Sequence, residues 1–141
     1  MPVTKWTSVG GVVFPSLEDL EHVYVLSPRE EFWPRSYPQG PVDAGESPKQ
    51  AVIREVWVAT GIRAKFLSGA NCYIGKDDGT QCVTHYFLMY RVGGEPKKHG
   101  KGSDIKLISF DEATNLFTQF GNRRDVKITH LARQALKGFP A

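Results

Sequence analysis

The segment from Gly40 to Ile62 holds the side chains of this chain that are best suited to chemistry. Glu46 and Glu55 carry carboxylates, and Arg54 carries a guanidinium next to Glu55. Carboxylate oxygens are the ligands that hard cations such as Mg²⁺ prefer in proteins. The segment is therefore the first candidate for a cation-binding site, and its local structure decides how these groups are placed.

The segment predicts a loop that leads into one helix. Ser47 is a good N-cap, Pro48 suits the first helical turn, and Gln50 completes a capping box with Ser47. Gly61 provides a left-handed stop. At about 100° per residue, one face of the helix is apolar, and Glu55 borders it. The residues of that stripe are Val52, Val56 and Ala59.

The spacing of these residues resembles the signature of the Nudix hydrolases. That signature reads Gly, five residues, Glu, seven residues, Arg-Glu, an aliphatic, one residue, Glu-Glu, one residue, Gly and an aliphatic. The matching positions are Gly40, Glu46, Arg54, Glu55, Val56, Gly61 and Ile62. An ordinary amphipathic helix after a Gly/Pro loop would explain the caps and the stripe, but not these matches. The resemblance implies an α/β (α+β) domain with the Nudix fold of MutT-like proteins, a mixed β-sheet sandwiched between α-helices.

The chain departs from the signature where the Glu-Glu pair is expected, because Val58 and Ala59 occupy those positions. In the family, the Arg-Glu glutamate and the later glutamates share a helical face and hold magnesium or manganese. These ions serve hydrolysis of nucleoside diphosphates linked to another moiety. Glu55 and the Gly40 carbonyl could still hold one cation, which would keep most of its waters. Magnesium or manganese binding is therefore expected to be weak.

The resemblance also assigns roles to single residues. Arg54 and Glu55 are the catalytic candidates, and Glu55 and Gly40 are the metal-binding candidates. Glu46 is expected to pair with Arg54 and to brace the loop against its helix, so Gly40, Glu46 and Gly61 are structural positions of this degenerate box.

Two functional hypotheses follow from this departure. In the first, metal-dependent hydrolysis is weak or lost, and the protein binds a nucleotide-like or other anionic ligand, or a protein partner. In the second, it is an active pyrophosphohydrolase of nucleoside diphosphate-linked, dinucleoside or inositol polyphosphate substrates, with metal ligands from other loops. Candidate replacement carboxylates, each more often a turn former or a cap, are Asp43, Asp77, Asp78, Asp104, Asp111 and Glu112.

Several residues outside the box are candidates for ligand binding. The loop from Gly93 to Gly102 is basic and could contact a phosphate, although a solvated loop is the commoner role. His85 lies on a predicted central strand, where a satisfied core or pocket histidine is the default. Trp33 could stack on a base or sugar, as could Trp57 and Tyr90, although aromatic packing is more usual. The basic residues of the loop are Lys97, Lys98 and Lys101.

Composition limits the class of protein. With 141 residues, 40% hydrophobic and 23% charged, the chain predicts a single domain over residues 1–141. The net charge of +3 suits a small anionic ligand and is too low to argue for nucleic acid.

No signal peptide or membrane-length apolar run is present, so a cytoplasmic protein is expected. Cys72 and Cys82 lack metal-type spacing and are expected to be free thiols. Oligomeric state is open, a homodimer included.

Local patterns predict strands that alternate with three helices and therefore a mixed sheet covered on both faces. The segment from Gln81 to Val92 is apolar on both faces and is predicted to be central. An Asp-Gly turn, Lys76 to Thr80, is expected to join it to the strand before it. The other predicted strands are Lys5 to Phe14, His22 to Leu26, Arg63 to Ile74 and Ile105 to Ile108; the later helices run from Ser109 to about Phe120 and from Asp125 or Thr129.

Overall fold

A computed structural model describes residues 6–28, 35–67, 72–96 and 103–137. Over these residues the strands are β1 (Trp6–Phe14), β2 (His22–Pro28), β3 (Gln39–Pro41), β4 (Ile62–Phe66), β5 (Tyr73–Asp78), β6 (Cys82–Gly94) and β7 (Ser103–Ser109). The helices are α1 (Pro48–Thr60), α2 (Phe110–Gln119) and α3 (Arg123–Lys137).

Strand β6 is the centre of a five-stranded mixed sheet. Along one side it runs parallel to β1. Along the other side, β5 pairs antiparallel with residues 83–87 and β4 with residues 89–94. Strand β3 is the antiparallel neighbour of β1 at the sheet edge, and β2 and β7 form a separate antiparallel pair. The prediction of a mixed sheet with a central strand near residues 81–92 is confirmed.

Two apolar cores lie on opposite faces of this sheet, because successive side chains of a strand point in opposite directions. On one face, Phe87 and Met89 of β6 pack with the buried side of α1. On the other face, Tyr86 and Leu88 pack with α2 and α3. The helices therefore cover both faces of the sheet, as the expected sandwich requires.

The helix ends agree with their sequence signals. Ser47 and Gln50 form a reciprocal capping box at α1, and Ser109 and Glu112 form another at α2. Gly61 ends α1 in the left-handed conformation, with φ of 78°. A residue with a Cβ atom would be strained there, which explains why glycine stops the helix at this point.

Three local predictions were wrong. The predicted strand from Arg63 to Ile74 is two strands, since β4 ends at Phe66 and β5 begins at Tyr73. The predicted turn at residues 76–80 is shorter, because Lys76 to Asp78 continue β5 in register with β6. Helix α3 begins at Arg123, before either predicted start. The short strand β3 was not predicted. At residues 76–78 and in β3, pairing with a neighbouring strand overrides the local propensity.

The two cysteines are free thiols, with Cys72 buried and Cys82 partly buried. They lie on either side of the β5–β6 hairpin, where the carbonyl of Cys72 accepts a hydrogen bond from Leu88. None of the helices in the described ranges is long and apolar enough to span a membrane.

Candidate functional site

Helix α1 positions the candidate residues, and its own position is set by close packing on β1. A Cβ atom at Gly11 would lie 2.9 Å from Cγ2 of Val56, so the helix approaches the strand at a distance that only glycine allows here. Val52 and Val56 are fully buried on this side. Burial of this stripe fixes the rotation of the helix and turns Glu55 towards β3.

The Glu55 carboxylate lies against the backbone of Gly40. A Cβ atom built at Gly40 would overlap the carboxyl group of Glu55, so these two positions touch directly. The Glu55 side chain is only 13% exposed. The metal-binding pair proposed from the sequence is therefore brought together, although its role in binding a cation stays a prediction.

Arg54 connects the loop to the helix through several oxygen atoms. Its Nε and Nη2 atoms donate to the two carboxylate oxygens of Glu46 at 2.8 and 2.9 Å. Nη1 donates to Oε1 of Glu55 at 2.6 Å, and Nη2 donates to the Pro41 carbonyl at 3.0 Å. The ion pair expected between Glu46 and Arg54 is present, and the same guanidinium also occupies the Glu55 carboxylate.

This arrangement perturbs the charged groups in a direction that favours the ion pairs. The hydrogen bonds from Arg54 lower the pKa of Glu46 to about 2, helped by the backbone N–H of Asp43. The same bonds, first with Glu46 and then with Glu55, raise the pKa of Arg54. Both groups are charged at neutral pH. Because its pKa is raised, Arg54 does not release its proton to a substrate.

The helix positions that would complete a metal site carry no oxygen ligand. Val58 is 55% exposed and Ala59 is partly buried, and neither side chain carries an oxygen atom. Within residues 6–28, 35–67, 72–96 and 103–137, no three His, Cys, Asp or Glu side chains are grouped so that they could hold a metal ion. The described residues do not fit the cluster of carboxylates that the family signature provides.

Asp43 is the replacement carboxylate that the structure places at the site. Its Oδ2 atom lies 3.4 Å from Nη2 of Arg54, and its side chain is 63% exposed. The other candidates lie on other elements: Asp77 and Asp78 on β5, Asp104 on β7, Asp111 paired with Arg133, and Glu112 in the α2 capping box.

His85 lies on the same sheet face as Glu55. Val9 pairs in register with Gly40 on one side and with His85 on the other, so the three residues form one row across β3, β1 and β6. Two strand spacings place the Cα atom of His85 about 10 Å from that of Gly40. Burial, together with nearby Lys76, lowers the pKa of His85 and favours a neutral ring.

Tyr73 lies beside His85 and was missed in the sequence. Its hydroxyl forms a 3.0 Å hydrogen bond with Nδ1 of His85, and their ring centroids lie 5.7 Å apart. The pairing depends on the register of the β5–β6 hairpin, which the wrongly placed turn concealed. A register shift between Tyr73 and Gly75 then sets Tyr73 opposite Phe87, and the sequence analysis predicted no such bulge.

The remaining ligand candidates lie elsewhere. Trp57 is about 160° around α1 from Glu55. It lines a groove of about 590 Å³ that Arg54 also lines, with Arg63 above the Trp57 ring. Tyr90 packs against the core beneath α2 and α3, which agrees with its default role. Trp33, Lys97, Lys98 and Lys101 lie outside the described residues.

A buried carboxylate near the start of α3 was also missed. Asp125 is 0% exposed and accepts hydrogen bonds from the Tyr37 N–H and from Asn122 Nδ2 at 3.0 and 2.9 Å. Its other oxygen accepts from the Tyr86 hydroxyl and Arg124 Nε at 3.0 and 3.1 Å. These bonds tie the segment before β3 to α3 and β6. Tyr37 and Tyr86 are far from Asp125 in sequence, so no local signal related them to it.

The fold and the loop–helix geometry together define a class: a mixed sheet between helices, in which a Gly-x₅-Glu loop is held by an Arg-Glu pair on the following helix. The sequence model of the NUDIX domain matches residues 4–130. The chain belongs to the NUDIX family.

Solved structures share this fold at low sequence identity. A C. elegans Ap4A hydrolase binary complex superposes with a TM-score of 0.74 at 17% identity, covering 95% of this chain and 99% of that one. A NUDIX hydrolase from Nitrosomonas europaea gives 0.74 at 20% identity, with 97% and 93% covered. An ADP-ribose pyrophosphatase from Streptococcus suis gives 0.71 at 15% identity, with 97% and 96% covered. At these identities the likeness shows the fold and not the substrate.

Proposed function

We propose that the protein binds a small anionic ligand of the nucleotide-like, diphosphate-containing type, and that its metal-dependent hydrolysis is weak or lost. The observation that carries this proposal is the environment of Glu55. Its carboxylate accepts a 2.6 Å hydrogen bond from Arg54, and the next positions on its helical face are Val58 and Ala59. One carboxylate that already pairs with an arginine is a poor ligand set for a hard cation.

Three features support the class of ligand. The similar structures include an Ap4A hydrolase and an ADP-ribose pyrophosphatase, whose names point to diphosphate-containing nucleotides. Tyr73 and His85 lie on the sheet face that carries Glu55, and their rings could stack on a base or sugar. The net charge of +3 favours an anion over a cation as the ligand.

A second candidate function is a working pyrophosphohydrolase in which Asp43 replaces a missing ligand. The observation that favours it is that Asp43 and Glu55 both contact the guanidinium of Arg54, at 3.4 and 2.6 Å. If Arg54 moved towards Glu46 alone, both carboxylates would lose this partner and would be available to a cation. Magnesium or manganese would then supply the charge neutralisation that attack on a phosphorus requires.

Calorimetric titration with ADP-ribose and diadenosine tetraphosphate tests ligand binding. Chromatography of the same compounds after incubation with excess magnesium or manganese tests hydrolysis. We expect measurable binding and no more product than the Glu55→Gln variant forms. Absence of binding would refute the first function.

Product that requires metal and disappears in Glu55→Gln would instead support the second function. In that case Asp43→Asn should also lose activity, whereas Asp77→Asn, which removes a carboxylate from β5, should keep it. A Glu55→Gln variant that retains metal-dependent activity would place the metal site outside the box helix.

A further inference from the structure

The groove of about 590 Å³ lies between α1 and β4, at one edge of the five-stranded sheet. Three large apolar side chains line it and stay exposed, Ile53 by 43%, Trp57 by 40% and Val92 by 48%. Single exposed apolar residues are ordinary on a protein surface, whereas several in one concave place are typical of an interaction site. Ile53 and Trp57 lie about 160° around α1 from Glu55, so this apolar surface is separate from the candidate site.

Strand β4 presents a backbone edge to the groove. It pairs with β6 on one side, and no strand in the described part of the chain pairs with its other side. The N–H of Leu67, the residue after β4, donates to the carbonyl of Leu88. Because antiparallel pairing alternates along a strand, the backbone groups of Lys65 also face β6, and those of Ala64 and Phe66 point outwards. Ala64 lines the groove, so an extended segment lying there can hydrogen-bond to this edge.

The charge of the groove favours an acidic occupant. Arg63 and Lys65 are exposed, and neither forms an ion pair with any residue that the structure describes. The guanidinium of Arg63 lies 5.7 Å from the centroid of the Trp57 ring. Arg54 is already paired with Glu46, and no carboxylate is among the described residues that line the groove. Two positive charges therefore lie beside the apolar surface, and no described residue neutralises them.

A second copy of this chain is a poor occupant of the same edge. If two β4 strands paired antiparallel about Ala64, Arg63 of each copy would lie opposite Lys65 of the other. Like charges directly opposite each other in a sheet are destabilising, and basic residues on an edge strand discourage such pairing. A strand with carboxylates at these positions would instead form favourable pairs of opposite charge.

We propose that the groove binds an extended acidic segment of a partner protein, which adds a strand to the free edge of β4. Backbone hydrogen bonds to this edge hold the segment, as in other cases of strand addition. Its apolar side chains pack on Ile53 and Trp57, and its carboxylates pair with Arg63 and Lys65. This interaction uses neither Glu55 nor a metal ion, so it does not depend on the function proposed above.

Binding of a fluorescent heptapeptide with alternating glutamate and valine, measured by anisotropy with the full chain, tests the proposal. Arg63→Gln with Lys65→Gln should weaken binding about tenfold or more, because charge-assisted contacts are lost. Trp57→Ala should weaken it by a similar factor, since an aromatic anchor is removed. The matched control, Lys106→Gln with Lys127→Gln, removes the same charge from β7 and α3, outside the groove. This control should change the affinity by less than about twofold.

A second peptide tests the pairing with the strand edge. Methylation of every backbone N–H keeps the side chains of the heptapeptide but removes its donors to β4. The methylated peptide should bind about tenfold more weakly or less, because the backbone hydrogen bonds supply the affinity in strand addition. Equal binding of the two peptides would show that no strand is added, and would overturn the proposal.

Equal weakening by the groove double variant and its charge-matched control would also overturn the proposal, since only the general field of the protein would then be acting. Absence of peptide binding to the parent protein at millimolar concentration would do the same. In sedimentation, a dimer of the parent that Trp57→Ala dissociates would place a second copy in the groove instead. Melting temperatures of the variants, which should match the parent, exclude unfolding as the cause of a loss.

Discussion

At the scale of single residues, Arg54 holds the loop and the helix together. Its guanidinium contacts oxygen atoms of Pro41, Asp43, Glu46 and Glu55. Five N–H groups in one plane allow a single arginine to do this, and a lysine could not reproduce the bidentate pair with Glu46. Arg54 and Glu46 therefore have a structural role that does not depend on catalysis.

The first prediction concerns the pH dependence of this pair. The pKa of Glu46 is lowered to about 2, so its pairing adds stability above the unfolded carboxyl pKa and loses it as pH falls towards 2. Glu46→Gln should melt below the parent at pH 7, and the difference should shrink between pH 4.5 and pH 2. Thermal melts across this range measure it.

The control for this prediction is Glu95→Gln, because Glu95 also pairs with an arginine but is exposed. Its melting temperature should stay close to that of the parent at every pH. A Glu46→Gln difference that did not change with pH would show that the carboxylate is not paired in solution.

The second prediction concerns Gly40. Its backbone is not in the left-handed region, so only the neighbouring Glu55 carboxylate prevents a side chain there. Gly40→Ala should destabilise the protein by about 1–3 kcal/mol, as overpacking usually does. Urea denaturation of both variants measures this. Gly93→Ala, whose new Cβ atom would lie 3.8 Å from Arg63, should have little effect. Equal effects would mean that Glu55 moves aside at no cost.

At the scale of elements, short-range signals were reliable where they act within one turn. The capping boxes of α1 and α2 and the glycine stop at Gly61 depend on residues only a few positions apart, and all three are present. Long-range pairing was not predictable in this way. Asp77 and Asp78 have turn propensity, yet they continue β5 because β6 offers a paired register.

The same distinction between short-range and long-range contacts holds within the candidate site. The Glu46–Arg54 pair and the contact between Gly40 and Glu55 lie within the box and could be expected from the resemblance. Tyr73 beside His85, and the bonds around Asp125, join residues that only the folded sheet brings together. One sequence carries no pattern that relates such distant positions.

The third prediction concerns the cluster that joins α3 to the sheet. Each oxygen of Asp125 faces two donors, so the amide of Asp125→Asn would point its NH₂ group at donors in either orientation. The substitution should cost about 3 kcal/mol of unfolding free energy, because a buried charged group loses its matched partners. Asp111→Asn removes an exposed partner of Arg133 and should cost less than about 1 kcal/mol. Urea unfolding of both variants measures the two losses of unfolding free energy. Equal losses would contradict the role given to Asp125.

At the scale of the whole molecule, the two-sided sandwich was predictable because its causes are averaged over many residues. The alternation in β6 places apolar side chains on both faces, and three amphipathic helices are available to cover them. The order of strands was not predictable, since β1 and β6 pair in parallel although β2, β3, α1, β4 and β5 lie between them in sequence. Because the buried side of α1 belongs to one of the two cores, global unfolding also measures events at α1.

The last prediction uses that link between the site and the whole molecule. Val58→Glu with Ala59→Glu places two carboxylates on the helical face of Glu55, and Val58 is already 55% exposed, so little packing is lost. Without metal, each like-charge pair should cost roughly 0.2–0.5 kcal/mol, and the variant should melt below the parent. At about a hundred times its dissociation constant, magnesium should then add about 2.7 kcal/mol of stability to the variant.

The parent should respond little to magnesium, because Glu55 is the one carboxylate on this face of α1 and it already pairs with Arg54. The matched control, Ile53→Glu with Trp57→Glu, adds the same charge to the exposed opposite side of α1 and should gain no comparable magnesium response. If the rest of the site is intact, only the first double variant should also hydrolyse ADP-ribose. A larger magnesium-induced rise in melting temperature for the parent than for this variant would show that Val58 and Ala59 do not disable the site. The search for metal ligands would then move to Asp43, which already lies 3.4 Å from Arg54.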